Sequence, residues 1–209
     1  MRFSYNPEIS VIMPTFNRAR HLENAVQSVI DQSFESWELI IVDDGSSDHT
    51  FETLNPYIER FANIRYLKHK NRKAALSRNA GIQASFGRYI TFLDSDDHYL
   101  ANHLETRVAI LKEYETISLL SGGFICDEDI RVKDRYNSDK LVNIRECILG
   151  GTFFGTREIF LSLEGFRDLE YAEDADLWER AEALYAVKKI EDPKTYVYQR
   201  AEDSITLNY

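Results

Sequence analysis

Trp37-Glu38-Leu39-Ile40-Ile41-Val42-Asp43-Asp44-Gly45-Ser46-Ser47-Asp48 is the stretch that decides the fold. Leu39 to Val42 is an unbroken apolar run, as carried by a strand buried on both faces. It stops on two carboxylates, a glycine that permits a tight turn, and Ser47 or Asp48, either able to cap a following helix. Phe51, Leu54, Ile58 and Phe61 then mark a helical stripe. Outward from this unit the pattern repeats. Upstream, Ile9 to Met13 reads as a strand stopped by Pro14, and Leu22, Ala25, Val26, Val29 and Ile30 share one helix face. Downstream, Ile64 to Leu67 is a third strand, 74–86 a helix and Tyr89 to Leu93 a fourth strand. Leu104, Val108 and Leu111 mark the next helix. This alternation predicts an α/β fold, a mostly parallel sheet flanked by helices.

The second half is less regular. Ile117 to Cys126 reads as a strand, 127–145 as a loop or exposed hairpin, and Thr152-Phe153-Phe154 as a short strand. Leu177, Ala181, Leu184 and Tyr185 predict a late helix, and Thr195 to Tyr198 a final strand. With no repeat and no Pro/Gly/Ser linker, 1–209 reads as a single domain. A nucleotide-binding-like half covers about 9–98, and a half of about 99–209 completes a pocket.

Lys and Arg number 25 against 35 Asp and Glu, a net charge of −10. That excludes general affinity for nucleic-acid backbones and weakens the case for a polybasic membrane anchor. Cys126 and Cys147 are too few for a disulfide framework and read as free buried thiols of a reducing compartment. Met1 to Pro7 lacks the apolar run of a signal peptide, and no stretch approaches a membrane span. The expected location is cytoplasmic, with peripheral membrane attachment left open.

In open α/β sheets, ligands bind beyond the carboxyl ends of the strands, so the polar residues there are the first to weigh. Leu93-Asp94-Ser95-Asp96-Asp97 packs three carboxylates into four residues. Crowded carboxylates repel, and a hard cation such as Mg2+ relieves them; an acidic turn capping a helix is the plainer alternative. Asp43 and Asp44 can accept hydrogen bonds from a base or a ribose, or they belong to a capping loop without a ligand. Pro14-Thr15-Phe16-Asn17 offers two polar side chains or merely starts a helix. Six basic residues between Arg65 and Arg78, with no acidic one, suit a diphosphate or a solvated helix face. Asp174, three residues before Leu177, falls on the core-facing side of the late helix, as a cap or a working base. Asp176 falls off that stripe. His21, His49, His69, His98 and His103 show no metal spacing, and most of them read as surface residues. Trp37 and Trp178 read as core, with Trp178 near enough to Asp174 to line a substrate site.

Together these segments resemble the family 2 glycosyltransferases of the GT-A fold. The resemblance is carried by Ser10 to Asn17, Trp37 to Asp48, Ser77-Arg78-Asn79-Ala80-Gly81-Ile82, Gly87 to Asp97 and Glu173 to Trp178. It is dense over about 9–113 and patchier to 206. It implies an inverting transfer from a nucleoside diphosphate sugar, UDP being the commonest choice, with Mn2+ or Mg2+, in polysaccharide biosynthesis. The acceptor would be a glycan, a lipid-linked sugar or a small molecule, and nucleic acid would not be a partner. Pro14, Thr15, Asn17 and Asp44 would surround the nucleoside with Asp43 nearby, and Arg72 and Arg78 would sit near the diphosphate. Asp96 would bind metal, with Asp97, Asp94 and Ser95 assisting around metal, sugar and nucleotide. Asp174 would be the general base, with Glu173, Trp178 and Thr152 on the acceptor side. Many relatives carry a late histidine where this chain has Ala201; either Arg200 or Glu202 substitutes for it, or the metal is held more weakly. That departure keeps open a non-catalytic sugar-nucleotide-binding relative acting as sensor or scaffold. A receiver-like signalling domain fits poorly, because the chain is too long and a second Asp cluster follows strand four.

Overall fold

The computed structural model describes residues 6–137 and 139–199. Strands β1 (Ile9–Thr15), β2 (Trp37–Asp43), β3 (Ile64–Lys68) and β4 (Tyr89–Phe92) alternate with helices α1 (Leu22–Ile30), α2 (Thr50–Arg60) and α3 (Lys73–Ala84). There follow β5 (His98–Tyr99), α4 (His103–Glu113), β6 (Ile117–Gly122), β7 (Phe124–Ile125), and a hairpin of β8 (Arg131–Lys133) and β9 (Leu141–Asn143). The chain continues through β10 (Phe154–Thr156), α5 (Arg157–Ser162), α6 (Glu173–Leu184), β11 (Ala186–Ile190) and β12 (Tyr196–Val197).

The main sheet has seven strands in the order β11-β6-β10-β4-β1-β2-β3. All pairs are parallel except those of β10, which runs antiparallel to both β4 and β6. Alternate strand residues face opposite sides. Val11, Met13, Leu39 and Ile41 pack with α1, α2 and α4; Ile12, Ile90 and Phe92 pack with α3, α5 and α6. Gly81 of α3 lies directly on Ile12, where any Cβ would collide. Because β10 is antiparallel, it enters the sheet at the edge where β4 leaves it. The turn before it, Gly150–Thr152, therefore lands beside the acidic segment after β4.

Several expectations need correction. Pro14 does not end β1; the strand runs to Thr15. Leu93 donates its N–H to Ile12 O at 3.0 Å, the last β4 contact, so the N–H that Pro14 lacks faces no strand. The expected strand 117–126 breaks at Gly122 and Gly123, both at positive φ. There Arg107, fully buried, donates to the carbonyls of Gly122, Gly123 and Pro193 at 3.0–3.2 Å. Burial lowers Arg107 to about 10. β7 thus leaves the main sheet and joins a small one of order β5-β12-β7. His103 is no surface residue: it is buried, stacked on Tyr99 at 3.9 Å and bonded to Thr195 Oγ1 at 2.9 Å. Phe51 lies on the exposed side of α2. The short strand expected at 152–154 begins at Phe154, and β5, α5 and β11 are additions. Cys126 and Cys147 are free, the first buried and the second half-buried. Among the described residues, no helix is long and apolar enough to cross a membrane.

At the amino ends of the strands sits a network remote from the site. Glu38, 2% exposed, accepts from Ser10 Oγ at 2.6 Å and from the Phe86 N–H at 2.7 Å, and pairs with Arg65 at 2.9 Å. Glu38→Ala should cost about 3 kcal/mol in urea unfolding, the low end for a broken buried pair, because Arg65 keeps contact with solvent. A loss under about 1 kcal/mol would show that the network is not a structural anchor.

Candidate active site

The register of β1 and β2 pairs Thr15 with Asp43, so their two loops start side by side. Asp44 donates its N–H to Thr15 O at 2.8 Å. Gly45 takes φ +86°, and a Cβ there would press on the Asn71 backbone. Asp43 accepts from the Ser46 N–H at 2.7 Å and from the Tyr66 hydroxyl, with Lys68 at 3.4 Å. Burial alone would raise Asp43, but the Tyr66 and Ser46 hydrogen bonds outweigh it and hold the carboxylate below its ordinary range. Asp43 therefore frames the loop. Asn17, at φ 53°, joins the two loops: its N–H meets Ser46 Oγ and its Oδ1 takes the Ser47 N–H, both at 2.9 Å. Of the two expected caps it is Asp48 that acts, accepting from Thr50 N–H and Oγ1 at 3.1 and 2.6 Å. Asp44 Oδ1 accepts the Arg72 N–H at 2.7 Å, which fixes the start of α3 beside the loop. The Arg72 side chain is exposed. Pro14 is buried within β1, whereas the Thr15 hydroxyl is buried without a hydrogen-bond partner among the described residues. An orphaned hydroxyl between two polar loops is what an absent ligand would satisfy.

After β4 the three carboxylates part company. Asp94 pairs with Arg78 at 2.7 Å. Asp97, 1% exposed, turns inward and accepts from the Tyr196 hydroxyl and from the Gln199 N–H at 2.7 Å. Both oxygens of the carboxylate expected to help hold metal thus latch it to Tyr196 and to the segment after β12. Burial first, then Asp94 and Asp96, raise it well above its ordinary value. Ser95 is buried as well. Asp96 remains, half-buried and raised by burial and then by Asp94, with Arg18 and His21 opposing. Among the described residues, no three His, Cys, Asp or Glu side chains stand together as a metal cage. The donor set fits a cation of another kind: Mg2+ and similar ions often take one or two carboxylates and complete their shell with phosphate and water. The mutual repulsion of Asp94 and Asp96 is what such an ion would relieve.

The second half arrives at the same place through Arg78. Its guanidinium, 8% exposed, bonds Asp94 on one side and Glu173 on the other, at 2.7 and 3.0 Å. It is thus committed to carboxylates, where a diphosphate contact was expected. Ala172, at φ 58°, opens α6, and Asp174 lies in its first turn. Asp174 accepts the Gly150 N–H at 3.1 Å and the Ala175 N–H at 2.7 Å. Burial, helped by Glu173, lifts Asp174 to about 7, against the pull of the Ala175 N–H and Arg78. Two residues expected on the acceptor side are packed in the core. Trp178 is 8% exposed and stacks on Phe153 in the core. Thr152 is 1% exposed, and its hydroxyl is taken up by Leu149 O at 2.7 Å and the Gly122 N–H at 2.9 Å. Asp176 is buried, paired with Arg180 at 2.7 Å and Arg167 at 3.2 Å.

Tyr196 and Gly150-Gly151 were not expected at the site. A Cβ on Gly150 would stand 3.3 Å from Asp174, and one on Gly151 would strike Tyr196 and crowd Asp94. The available signal was the Gly-Gly pair itself; Gly122-Gly123, the other one, marks a similarly close approach. Arg200, Ala201 and Glu202 lie outside the described residues.

TuaG of Bacillus subtilis, named as a teichuronic acid biosynthesis glycosyltransferase, is 36% identical over 135 residues, 64% of this chain and 53% of that protein. A Campylobacter jejuni protein named GalNAc(5)-diNAcBac-PP-undecaprenol beta-1,3-glucosyltransferase is 28% identical, over 96% of this chain and 68% of its own. The chain thus spans about half of TuaG. Among solved structures, S. aureus TarS 1-349 in complex with UDP-GlcNAc superposes at a TM-score of 0.78, with 19% identity, over 97% of this chain and 61% of that one. Mannosyltransferase PcManGT from Pyrobaculum calidifontis, in complex with GDP-Man and Mn2+, gives 0.75 and 20%, over 96% and 59%. These two establish the shared GT-A fold. The model of glycosyl transferase family 2 matches residues 10–161, most of the chain, and the chain belongs to that family.

Proposed function

We propose that the chain transfers a sugar, with inversion, from a nucleoside diphosphate sugar to an acceptor hydroxyl, assisted by a divalent cation. The observation that carries this reading is Asp174. It is a half-buried carboxylate with a proton affinity near neutrality, joined through Glu173 and Arg78 to the acidic turn after β4. A group with a pKa near the working pH is well suited to accept a proton in a transition state.

On this reading Thr15, Asn17 and Asp44 hold the nucleoside, within a loop framed by Asp43. Asp96, with Asp94 beside it, would hold Mn2+ or Mg2+, whose chemistry is to neutralise charge on the diphosphate. Asp174 takes the proton of the acceptor hydroxyl as that oxygen bonds to the anomeric carbon. The bond from that carbon to the diphosphate breaks on the opposite face, so one displacement inverts the centre. UDP is the first donor to test, since TarS is in complex with UDP-GlcNAc. A glycan or lipid-linked acceptor is in keeping with the name of the Campylobacter relative. The two halves work as one catalytic domain, and the free thiols suit the cytoplasmic side of a membrane.

The test is calorimetry with UDP-, GDP- and dTDP-sugars, with and without Mn2+, and NMR of the product anomer. A nucleotide sugar should bind more tightly with Mn2+, and the product should have the opposite anomeric configuration to the donor. Asp96→Ala should weaken binding about tenfold or more in the presence of Mn2+ and leave cation-free binding unchanged. Failure to bind any nucleotide sugar, with or without the cation, defeats the reading.

A further inference from the structure

The turn that carries Asp96 is closed by a side chain from the far end of the chain. The Asp97 N–H donates to Asp94 O at 3.0 Å, which draws the turn together. Across the same turn, Tyr196 Oη accepts the Asp94 N–H at 3.4 Å and donates its proton to Asp97 Oδ2. A phenol hydroxyl can do both at once. One atom thus spans the two ends of the turn, with Asp96 between them. Gly151 comes up against that atom from the other side: a Cβ there would collide with Tyr196 Oη and stand 3.1 Å from Asp94 Oδ2. The neighbouring Gly150 N–H is the one that Asp174 accepts. Tyr196 Oη is therefore the point where the acidic turn touches the turn that holds Asp174.

Tyr196 is buried and firmly held. β12 is the middle strand of the small sheet, and Tyr196 pairs with Tyr99 of β5 and with Phe124 of β7. Its ring meets Tyr99 and His103 edge-on, at 5.7 and 6.2 Å. Phenylalanine would satisfy this packing equally; what the hydroxyl adds is the bridge. We propose that Tyr196 is a positioning residue for the cation: by joining Asp94 to Asp97 it fixes the turn that presents Asp96, without itself touching cation or substrate. The inference rests on Asp96 as the cation ligand.

The experiment is calorimetry on the full chain with UDP and with GDP, each in Mn2+ and in EDTA, for wild type, Tyr196→Phe and Asp97→Asn, with urea unfolding of all three. The probe is whichever nucleotide the wild type binds more tightly in Mn2+. Tyr196→Phe should lose about tenfold in affinity in Mn2+, the low end of what groups orienting a metal ligand contribute, and stay within about twofold in EDTA. Asp97→Asn should show the same split, because an amide cannot accept from both Tyr196 and Gln199. A Tyr196→Phe protein with a lower urea midpoint but wild-type affinities would make the bridge purely structural and overturn the proposal. Equal losses in Mn2+ and EDTA would do the same. So would a loss confined to Asp97→Asn, since Asp97 would then meet the cation directly. A wild type that binds nucleotide equally with and without Mn2+ removes the cation reading itself, and this inference with it.

Discussion

Asp174→Asn should lower the turnover of sugar transfer by about 10²–10⁴-fold, the usual contribution of a general base, and leave nucleotide affinity nearly intact. The substitution keeps the size and shape of the side chain but removes its capacity to take a proton. Asn can still accept the Ala175 N–H through one oxygen, but its amide would then face the Gly150 N–H as a second donor. That mismatch should lower stability by about 1–3 kcal/mol, readable by thermal melting separately from the rate. The wild-type pH profile carries the same logic. Burial and Glu173 place Asp174 at about 7, and only its deprotonated form can act as base. The rate should therefore climb as pH rises through about 7 and level off above it. In Asp174→Asn that ascending limb should vanish. If nucleotide affinity falls in step with turnover, Asp174 is a structural cap on the 149–152 turn and not a base.

The loops of the proposed donor side were legible as strand-end loops for a physical reason. Each follows directly on a strand buried on both faces, and an uninterrupted apolar run ending in Asp, Gly and Ser marks strand, edge and turn together. Asp44, Asn17 and Asp174 could be proposed from position along the chain alone. The roles of Asp97 and Trp178 could not. Asp97 stands next to Asp96 in sequence, but a tight turn separates their directions, and what receives Asp97 is Tyr196, ninety-nine residues away. Trp178 lies four residues from Asp174, and helical spacing puts the two on one face. That face happens to be the one packed on Phe153. The β10–α5 segment was hidden for a related reason. Its strand is three residues long and antiparallel between parallel neighbours, so it carries no periodicity to read. Arg78 shows the same limit from the other side. A run of basic residues suggests an anion, and only the fold reveals that the anions are the chain's own carboxylates.

Arg78→Met should therefore be the most damaging substitution to the site as a whole. The guanidinium is 8% exposed, lies 5.4 Å from the Phe166 ring centre, and binds Asp94 and Glu173 at once. Methionine fills much of its volume but leaves Asp94, Glu173 and Asp174 with no positive charge among them. Removing one partner of a buried ion pair typically costs about 3–5 kcal/mol, because the remaining charge is stranded. Asp94 and Glu173 keep contact with solvent, so urea unfolding should show a loss near the low end, about 3 kcal/mol. Arg78 also helps keep Asp174 ionised, so without it Asp174 should hold its proton to higher pH and the ascending limb should move to the alkaline side. Arg78→Lys distinguishes charge from geometry. A single ammonium restores the positive charge but lacks the fork that spans two carboxylates, so it should recover much of the pH profile and only part of the stability. A Met variant as stable as wild type, with its pH profile unmoved, would mean that Arg78 does not join the two halves of the site. The reading of Asp174 as a carboxylate tuned through that link would then fail with it.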